Sequence, residues 1–326
     1  MNFAIIGAGM AGLACADALQ EAGHSVALFD KGRGPGGRMS TRRLATRLGD
    51  ATFDHGAQYF TARDPHFCAL VESWRAANIA TLWPPAGADA WVGVPGMNAI
   101  ISRMAAAHTV KWGHQVTGMA RKGSEWWMIG EAGESGPFDV AILAIPAEQA
   151  AAILSLHDFP MARIALIARS QPCWTSMFAF EHPLDGLPAV LRNRGAIAWA
   201  ARNSAKPGRS GPEAWVVQAS ADWSASQLEG SQEQISVLLL KALADAAGTA
   251  LPEPLAATSH RWRFALSAGT GDGALWNPGM ALGVCGDWLL GPRVECAWLS
   301  GRLLAERCIG LDRQARAEAP TLVPLI

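Results

Sequence analysis

The stretch "MNFAIIGAGMAGLACADALQEAGHSVALFD" (Met1–Asp30) decides the fold. Its apolar run FAII reads as a short buried strand. Met10–Gly23 reads as a helix, and His24–Asp30 as a second strand that ends on an acid. Three glycines spaced G-x-G-x-x-G stand between the first strand and the helix: Gly7, Gly9 and Gly12. Such glycines allow a tight turn, close backbone approach to a pyrophosphate and close helix–strand contact. The stretch therefore predicts a Rossmann-like dinucleotide-binding unit.

The contacts of this unit with a dinucleotide follow from the turn. Backbone N–H groups at a helix N-terminus face phosphate oxygens, which makes Met10 and Ala11 candidates beside the glycines. Asp30 lies about 20 residues beyond the glycines, where an acid accepts hydrogen bonds from a ribose. Its negative charge argues against a 2′-phosphate on that ribose, because the two would repel each other.

A second glycine-rich segment, "KGRGPGGRMSTRR", directly follows Asp30 and contains an R-x-x-G-G-R pattern. A nicotinamide-binding unit normally continues into a helix near this point. A glycine loop can instead approach the pyrophosphate and ribityl chain of a longer cofactor, with an arginine bound to phosphate. The pattern indicates FAD. The candidate contacts in the loop are Lys31, Arg33, Gly37 and Arg38.

Composition and charge argue against several functional classes. The 326 residues are 50% hydrophobic and 17% charged, and 27 basic residues nearly balance 28 acidic ones. No positive field is therefore available for a nucleic acid backbone. No apolar run is long enough to span a bilayer, and no secretory signal is visible. The six cysteines are scattered without a C-x-x-C pair, and no histidine has metal-ligand spacing. We expect a soluble, cytoplasmic protein with reduced thiols, without a metal, nucleic acid or membrane partner.

Further segments carry a resemblance to a known family. They are "FDHGAQYFTARDPHF", "WVGVPGMNAI", "ARNSAKPGR", "HRWRFA" and "VCGDWLLGPRVECAWLSG". Together with the two glycine-rich segments, they resemble the two-domain flavoprotein oxidoreductases of the amine-oxidase superfamily, and more closely the bacterial renalase-like enzymes. The resemblance covers nearly the whole chain. It implies an α/β, Rossmann-like FAD-binding domain with a second, mixed α+β substrate domain, the p-hydroxybenzoate hydroxylase-like architecture.

The two domains are expected to be discontinuous in sequence. Residues 1–65, 105–150 and 275–326 would form the FAD-binding domain, and residues 66–104 and 151–274 the substrate domain. In the second domain, "EAWVVQASADWS" and "LAATSHRWRFAL" are predicted to be strands. "SQEQISVLLLKALADAAG" is predicted to be an amphipathic helix that covers them, and "RNSAKPGRSGPE" a polar loop.

The resemblance also implies further cofactor contacts. The segment from Asp54 passes close to the flavin ring, and Val116 meets the adenine. Asp287 hydrogen-bonds a ribityl hydroxyl, and the helix from Arg293 directs its N-terminal partial positive charge at flavin N1 and the C2 carbonyl. The residues implicated in these contacts are Asp54, His55, Gly56, Ala57, Val116, Gly286, Asp287, Arg293, Val294 and Ala297. We expect FAD to be held noncovalently, although Cys296 stands where many relatives carry a small residue.

The activity that the resemblance implies is the oxidation of 2- or 6-dihydro isomers of NAD(P) to NAD(P)+. Flavin N5 takes the hydride, and molecular oxygen then becomes hydrogen peroxide. This reaction needs no nucleophile, and the pattern contains no obvious catalytic triad. Candidates for binding the nicotinamide by ring stacking or hydrogen bonding are Tyr59, His260, Trp262 and Trp288. Arg192, Arg194, Arg202 and Lys206 can meet a substrate phosphate, although solvated surface charge is the commoner role of such residues.

Two alternatives remain at this stage. A flavin-containing amine oxidase shares almost every cofactor motif and would be distinguished by an aromatic pair clamping the amine or by an acidic entrance. No acidic cluster is obvious in the sequence. A noncatalytic FAD-binding regulatory protein would bind FAD that no candidate substrate reduces. The dinucleotide oxidase also predicts two small-molecule partners, a dinucleotide substrate and molecular oxygen.

Overall fold

The computed structural model describes residues 1–131 and 133–318, and side chains in that part up to residue 310. In chain order its strands are β1 (Asn2–Ile6), β2 (Ser25–Asp30), β3 (Thr41–Thr46), β4 (Gly49–Asp54), β5 (Ala80–Leu82), β6 (Trp91–Gly93), β7 (Thr109–Trp112), β8 (Val116–Lys122), β9 (Glu125–Gly130), β10 (Gly133–Phe138), β11 (Val140–Leu143), β12 (Ser170–Phe180), β13 (Val190–Arg194), β14 (Ile197–Arg202), β15 (Glu213–Ala219), β16 (Ala256–Ser267), β17 (Leu275–Asn277) and β18 (Leu282–Val284). Its helices are α1 (Met10–Glu21), α2 (Pro65–Ala76), α3 (Asn98–Ala105), α4 (Ala147–Leu154), α5 (Phe159–Ile167), α6 (Ala221–Ser226), α7 (Gln232–Ala247) and α8 (Val294–Glu318).

A six-stranded sheet holds the N-terminal unit, in the order β17-β18-β11-β1-β2-β7. Its strands are parallel except for the antiparallel edge pair β17–β18. Side chains of β1 alternate between two cores: Phe3 and Ile5 pack with α1 and α8, whereas Ala4 and Ile6 pack with α4 and α5. A parallel sheet buried on both faces reads as a continuous apolar run, as "FAII" does. The Rossmann-like prediction is confirmed.

A five-stranded antiparallel sheet forms a second layer, in the order β13-β14-β15-β12-β16. Helix α7 covers one face with fully buried Ile235, Leu239 and Leu243, spaced four residues apart, which confirms the predicted amphipathic helix. The prediction of one strand over "EAWVVQASADWS" is wrong in its second half. Strand β15 ends before Ser220, whose hydroxyl accepts a hydrogen bond from the amide of Trp223 and caps α6.

The remaining strands form small antiparallel sheets: β3–β4, β5–β6 and β8–β10. Helices α2 and α3 pack Phe67 and Ile101 into the same hydrophobic cluster as Leu13 of α1. Residues 66–104 therefore lie against the core of the cofactor-binding sheet. Their assignment to the substrate domain, like the other domain boundaries, stays a prediction.

Two predictions from composition concern the whole chain. The six cysteines are free thiols, and four of them (Cys15, Cys285, Cys296 and Cys308) are buried. Across residues 1–131 and 133–318, no helix combines the length and the apolar character needed to cross a membrane.

Helices α1 and α8 touch backbone to backbone at Gly301. A Cβ atom at this position would lie 2.2 Å from the carbonyl oxygen of Ala11 and 3.0 Å from the amide nitrogen of Cys15. A similar contact occurs at the start of α1, where a Cβ on Gly12 would lie 2.0 Å from the carbonyl oxygen of Gly7. Hydrogen is therefore the largest group that fits at either position.

We predict that Gly301→Ala lowers the free energy of unfolding by about 1–3 kcal/mol, because a rigid backbone oxygen must move to admit the methyl group. Gly310→Ala, in the same helix, is the matched control, since no heavy atom lies within 4 Å of its Cβ position. This control should gain up to about 1 kcal/mol from the better helix propensity of alanine. Denaturant unfolding measures both changes, and equal effects at the two positions would contradict the packing argument.

Candidate active site

A cavity of about 540 Å³ is bounded by the first turn of α1, the loop after β11, the start of α8 and strands β12, β14, β15 and β16. It brings together residues from the two glycine-rich segments and from the C-terminal part of the chain. The predicted site residues that line it are Gly9, Met10, Ala11, Arg38, Gly56, Ala57, Tyr59, Trp262, Gly286, Asp287, Arg293, Val294 and Ala297.

The first turn of α1 has the features of a pyrophosphate site. Its N-cap, Gly9, offers no side-chain hydrogen bond, and the first turn contains no acidic residue. The Cβ position of Gly9 faces open space, with no heavy atom within 4 Å. Amide donors at a helix start need an acceptor, and a phosphate oxygen supplies one. The residues present therefore fit the diphosphate of a dinucleotide.

Asp30 joins the two glycine-rich segments. One carboxylate oxygen accepts from the amide of Ala8 at 2.8 Å, and the other accepts from the amide of Gly32 at 2.7 Å. The carboxylate is half-buried and lies outside the cavity wall. Its contact with a ribose stays a prediction.

Arg38 and Asp287 form a bidentate ion pair inside the cavity wall. Nη1 donates to Oδ2 at 2.7 Å and Nη2 donates to Oδ1 at 2.5 Å. Parallel hydrogen bonds of this kind fix the geometry of both groups. The pair joins the second glycine loop to the turn after β18, two parts of the chain that are 249 residues apart. Arg38, predicted to contact phosphate, has much of its hydrogen-bonding capacity committed to Asp287.

The segment Gly56–Tyr59 runs along the same wall. A Cβ on Gly56 would lie 2.0 Å from the carbonyl oxygen of Arg38, so only glycine fits there. The Gly56 carbonyl accepts from Nε2 of Gln218 at 2.7 Å and from Nε2 of Gln58 at 3.1 Å. Both glutamines line the cavity, and they fix the backbone that was predicted to pass the flavin ring.

His55 and His260 lie behind the cavity wall rather than in it. The ring of His55 stacks on Trp262 at 5.2 Å, and the ring of His260 meets Trp262 edge-on at 4.4 Å. The indole Nε1 of Trp262 donates to the carbonyl oxygen of His55 at 2.8 Å. Burial lowers the pKa of His55 to about 3 and that of His260 to about 4. Both rings are therefore neutral at physiological pH and support Trp262, which itself lines the cavity.

Trp288 is a core residue. Its side chain is 1% exposed, packs in the cluster that contains α4 and α5, and donates from Nε1 to the carbonyl oxygen of Ile145 at 3.1 Å. The structure does not support the predicted contact of Trp288 with a substrate.

Val116 begins β8 and is half-buried, and Lys31, Arg33 and Gly37 are exposed in the glycine loop. The predicted cofactor residues outside the cavity wall are Gly7, Gly12, Asp30, Lys31, Arg33, Gly37, Asp54, His55 and Val116.

Asp54 belongs to a buried charge cluster, and the structure does not support its predicted contact with flavin. Its carboxylate accepts hydrogen bonds from the Thr41 hydroxyl at 2.8 Å, the Met97 amide at 2.9 Å and Lys206 Nζ at 3.1 Å. Arg209 forms a further ion pair with the same carboxylate. The Asp54 side chain is fully buried, and these protein donors occupy its acceptor sites. No acceptor is therefore left for a flavin.

The polar loop predicted over "RNSAKPGRSGPE" connects β14 and β15, but several of its polar side chains are buried rather than solvated. Asn203 and Lys206 are 0% and 2% exposed, and the Arg209 side chain is 1% exposed. The loop therefore packs into the interior against β4, where the acid that neutralises it lies. Lys206 does not reach the surface and is not placed to meet a substrate phosphate.

The cluster contains two cations and one anion. Burial alone would raise the pKa of Asp54, but the charges of Lys206 and Arg209 outweigh it and lower the pKa to about 2. Burial lowers the pKa of Lys206 to about 8, against the attraction of Asp54. Lys206 also donates to Oε1 of Gln58 at 3.2 Å, which connects the cluster to the cavity wall.

We predict that Asp54→Asn lowers the free energy of unfolding by about 3–5 kcal/mol, because it leaves two buried cations without an anion. Lys206→Met should cost less than half as much, since Asp54 and Arg209 then balance. Denaturant unfolding of both variants measures the difference. A larger loss in Lys206→Met than in Asp54→Asn would contradict the charge balance described here.

The variant Lys206→Met also isolates the contribution of Lys206 to the pH dependence of stability. Its folded-state pKa of about 8 lies below its ordinary value of 10.5. The unfolded chain therefore binds more protons between these values, and Lys206 makes stability rise with pH across that window. The stability difference between the wild-type protein and Lys206→Met should shift in favour of the wild type between pH 7.5 and pH 10.

Several cavity residues were not predicted from the sequence. Cys173 on β12 lies opposite Trp262 on β16, and Trp199 on β14 lies opposite Gln218 on β15. Of these four residues, only Trp262 was predicted. All four line the cavity, whereas neighbouring positions such as Trp174 face α7. The alternation of strand residues was a usable signal, but the sequence does not say which face meets the cofactor sheet. Arg63 was also missed.

A parallel sheet with a glycine turn, facing a five-stranded antiparallel sheet across an aromatic-lined cavity, is the arrangement expected of a flavin-dependent oxidoreductase. Residues 5–74 match the family model of an NAD(P)-binding Rossmann-like domain, and residues 84–309 match that of a flavin containing amine oxidoreductase. The second match spans more than half of the chain. The chain belongs to the flavin containing amine oxidoreductase family, and FAD is its cofactor.

Individual relatives agree with this family. Renalase from Mus musculus is 25% identical over 299 residues, which cover 80% of this chain and 83% of renalase. A crystal structure of a putative protoporphyrinogen oxidase from Exiguobacterium sp. 255-15 superposes with a TM-score of 0.77 at 12% identity, covering 95% of this chain and 99% of the other. Cyclohexylamine oxidase from Brevibacterium oxydans gives a TM-score of 0.70 at 13% identity, covering 96% and 99%. The two structures show a shared fold, and the chain is a renalase-like member of the superfamily.

Proposed function

We propose that this protein is an FAD-dependent oxidase of isomeric dihydronicotinamide dinucleotides, the 2- or 6-dihydro forms of NAD(P). The products are NAD(P)+ and hydrogen peroxide. The bound flavin supplies a hydride acceptor at N5 and returns the electrons to molecular oxygen. The thiol of Cys296 is buried outside the cavity wall, which supports noncovalent binding of FAD.

The charge of the cavity wall is the observation that carries this proposal. Three arginines line the cavity: Arg38, Arg63 and Arg293. Among the described residues of the wall, Asp287 is the one acid, and its two oxygens are bound by Arg38. A protonated amine would therefore meet positive charge without a free carboxylate, whereas an anionic dinucleotide meets complementary charge.

Aromatic side chains give the cavity a surface for a flat ring. Tyr59 and Trp199 pack against each other at 5.2 Å. Trp262 lines the same cavity from β16, which β15 and β12 separate from the strand of Trp199. Aromatic groups of this kind orient a planar ligand and exclude water from it. The indole Nε1 of Trp199 is buried and has no acceptor within the described part of the chain.

The residues around the cavity offer little acid–base catalysis. Burial raises the pKa of the Cys173 thiol to about 11, so this thiol stays protonated at physiological pH. Loss of a hydride from a dihydronicotinamide produces an aromatic cation directly and requires no proton acceptor. The cavity chemistry therefore suits a substrate that needs orientation more than it needs a base.

Anaerobic titration of the FAD-loaded enzyme tests the proposal. We expect the 2- or 6-dihydro isomers of NAD(P) to bleach the oxidised flavin absorbance rapidly and stoichiometrically, and oxygen then to restore it with release of hydrogen peroxide. Putrescine and benzylamine are the comparison reductants. Rapid bleaching by an amine alone would establish an amine oxidase instead. Bleaching by none of these compounds would favour a noncatalytic FAD-binding protein.

A further inference from the structure

One buried carboxylate lies beneath the rim of the cavity, which is defined here by the exposed lining residues Arg63 and Arg293. Glu295, in the first turn of α8, is 2% exposed. Its Oε1 accepts from the backbone amides of Arg63 at 2.6 Å and Asp64 at 2.7 Å, and its Oε2 accepts from Nη1 of Arg293 at 3.0 Å. A buried carboxylate with three donors is held in one orientation. Glu295 therefore holds the backbone at Arg63 and the side chain of Arg293, and both arginines line the cavity.

These two arginines differ from the other cations near the cavity. Arg38 is committed to Asp287, and Lys206 is buried against Asp54. Within the described residues, by contrast, nothing forms a hydrogen bond, ion pair or ring contact with the Arg63 guanidinium. Arg293 keeps 45% of its side chain exposed while it contacts Glu295. The free hydrogen-bonding capacity of the cavity arginines is therefore concentrated at this rim.

The nearest acid does not neutralise Arg63. The side chain of Asp64 accepts from the amides of His66 at 2.9 Å and Phe67 at 3.0 Å, which caps α2. Glu295 directs its two oxygens at backbone amides and at Arg293, not at the Arg63 guanidinium. An arginine on a cavity rim with unused donors is suited to bind a phosphate group bidentately.

We propose that Arg63 and Arg293 bind the phosphate groups of the nucleotide substrate, and that Glu295 positions both arginines. The proposal rests on the proposed function for the identity of the substrate as a dihydronicotinamide nucleotide. The proposal distinguishes two phosphate-binding sites, one for the cofactor and one for the substrate. The start of α1 faces the cofactor diphosphate, and the rim formed by Arg63 and Arg293 faces the substrate phosphate.

Binding of oxidised product analogues to the FAD-loaded protein tests this proposal without turnover. Nicotinamide mononucleotide carries one phosphate, and nicotinamide riboside carries none. Calorimetry or the change in flavin absorbance gives the Kd of each. We expect Arg63→Gln to weaken binding of the mononucleotide about tenfold, the effect of losing one charge-assisted contact worth about 1.4 kcal/mol. Binding of the riboside should change less than twofold.

Two further variants complete the design. Arg103→Gln removes an exposed positive charge from α3, outside the cavity wall, and should leave both affinities unchanged. Glu295→Gln should weaken mononucleotide binding selectively, because Arg293 loses its ion pair, and Arg293→Gln should do the same. Circular dichroism and FAD content, measured on each variant, separate loss of the site from loss of folding.

Several results would overturn the proposal. Equal weakening of mononucleotide and riboside binding in Arg63→Gln would show that the arginine does not recognise phosphate. Loss of FAD from Arg63→Gln would assign it to the cofactor, and failure of the wild-type protein to bind the mononucleotide would remove the site altogether. If the dihydronicotinamides do not reduce the flavin but the mononucleotide still distinguishes Arg63→Gln from Arg103→Gln, the proposed function fails while the phosphate site stands.

Discussion

The contact between α1 and α8 at Gly301 sets the geometry on which the rest of the site depends. Both helices begin at the same cavity, and their backbones touch because no side chain separates them. Each N-terminus contributes a partial positive charge of about half an elementary charge. By the predicted cofactor contacts, the charge at α1 would serve the diphosphate and the charge at α8 the reducible ring of one cofactor. A wider helix spacing would move one of these ends away from the ligand.

A second constraint joins the cofactor-binding part of the chain to the five-stranded antiparallel sheet. Asp54 is the last residue of β4, and its cationic partners come from the loop after β14, about 150 residues later. Isolated buried charges are very unfavourable, so each half of this cluster requires the other half to be in place. Gln58 extends the cluster into the cavity wall through its bond to Lys206. Buried charges as well as apolar packing thus fix the position of the Gly56–Tyr59 backbone relative to the five-stranded sheet.

Local features of the sequence predicted much of the fold, because the relevant interactions lie within one βαβ unit. The glycine turn, Asp30 and the amphipathic pattern of α7 are such features. The errors concern residues whose partners are distant in sequence. Lys206 reads as a surface cation until Asp54 is placed beside it, and a fully buried Trp288 cannot be distinguished by composition from Trp262, which lines the cavity. Strand alternation identifies two faces, but only the packing of the two sheets decides which face forms the site.

The pairing of charges bears directly on the choice between an amine and a nucleotide as substrate. Each acid near the cavity is already engaged: Asp287 by Arg38, Asp54 by two cations, and Glu295 by amides and Arg293. In the cluster behind the wall two cations face one acid, and at the rim the Arg63 guanidinium has no hydrogen-bond partner among the described residues. Positive charge favours a reduced flavin that carries a negative charge, and it also attracts an anionic substrate. An ammonium ion would gain neither of these interactions and would have to lose its proton before it entered. The charges at the cavity thus support the proposed preference for a substrate that carries phosphate over an amine.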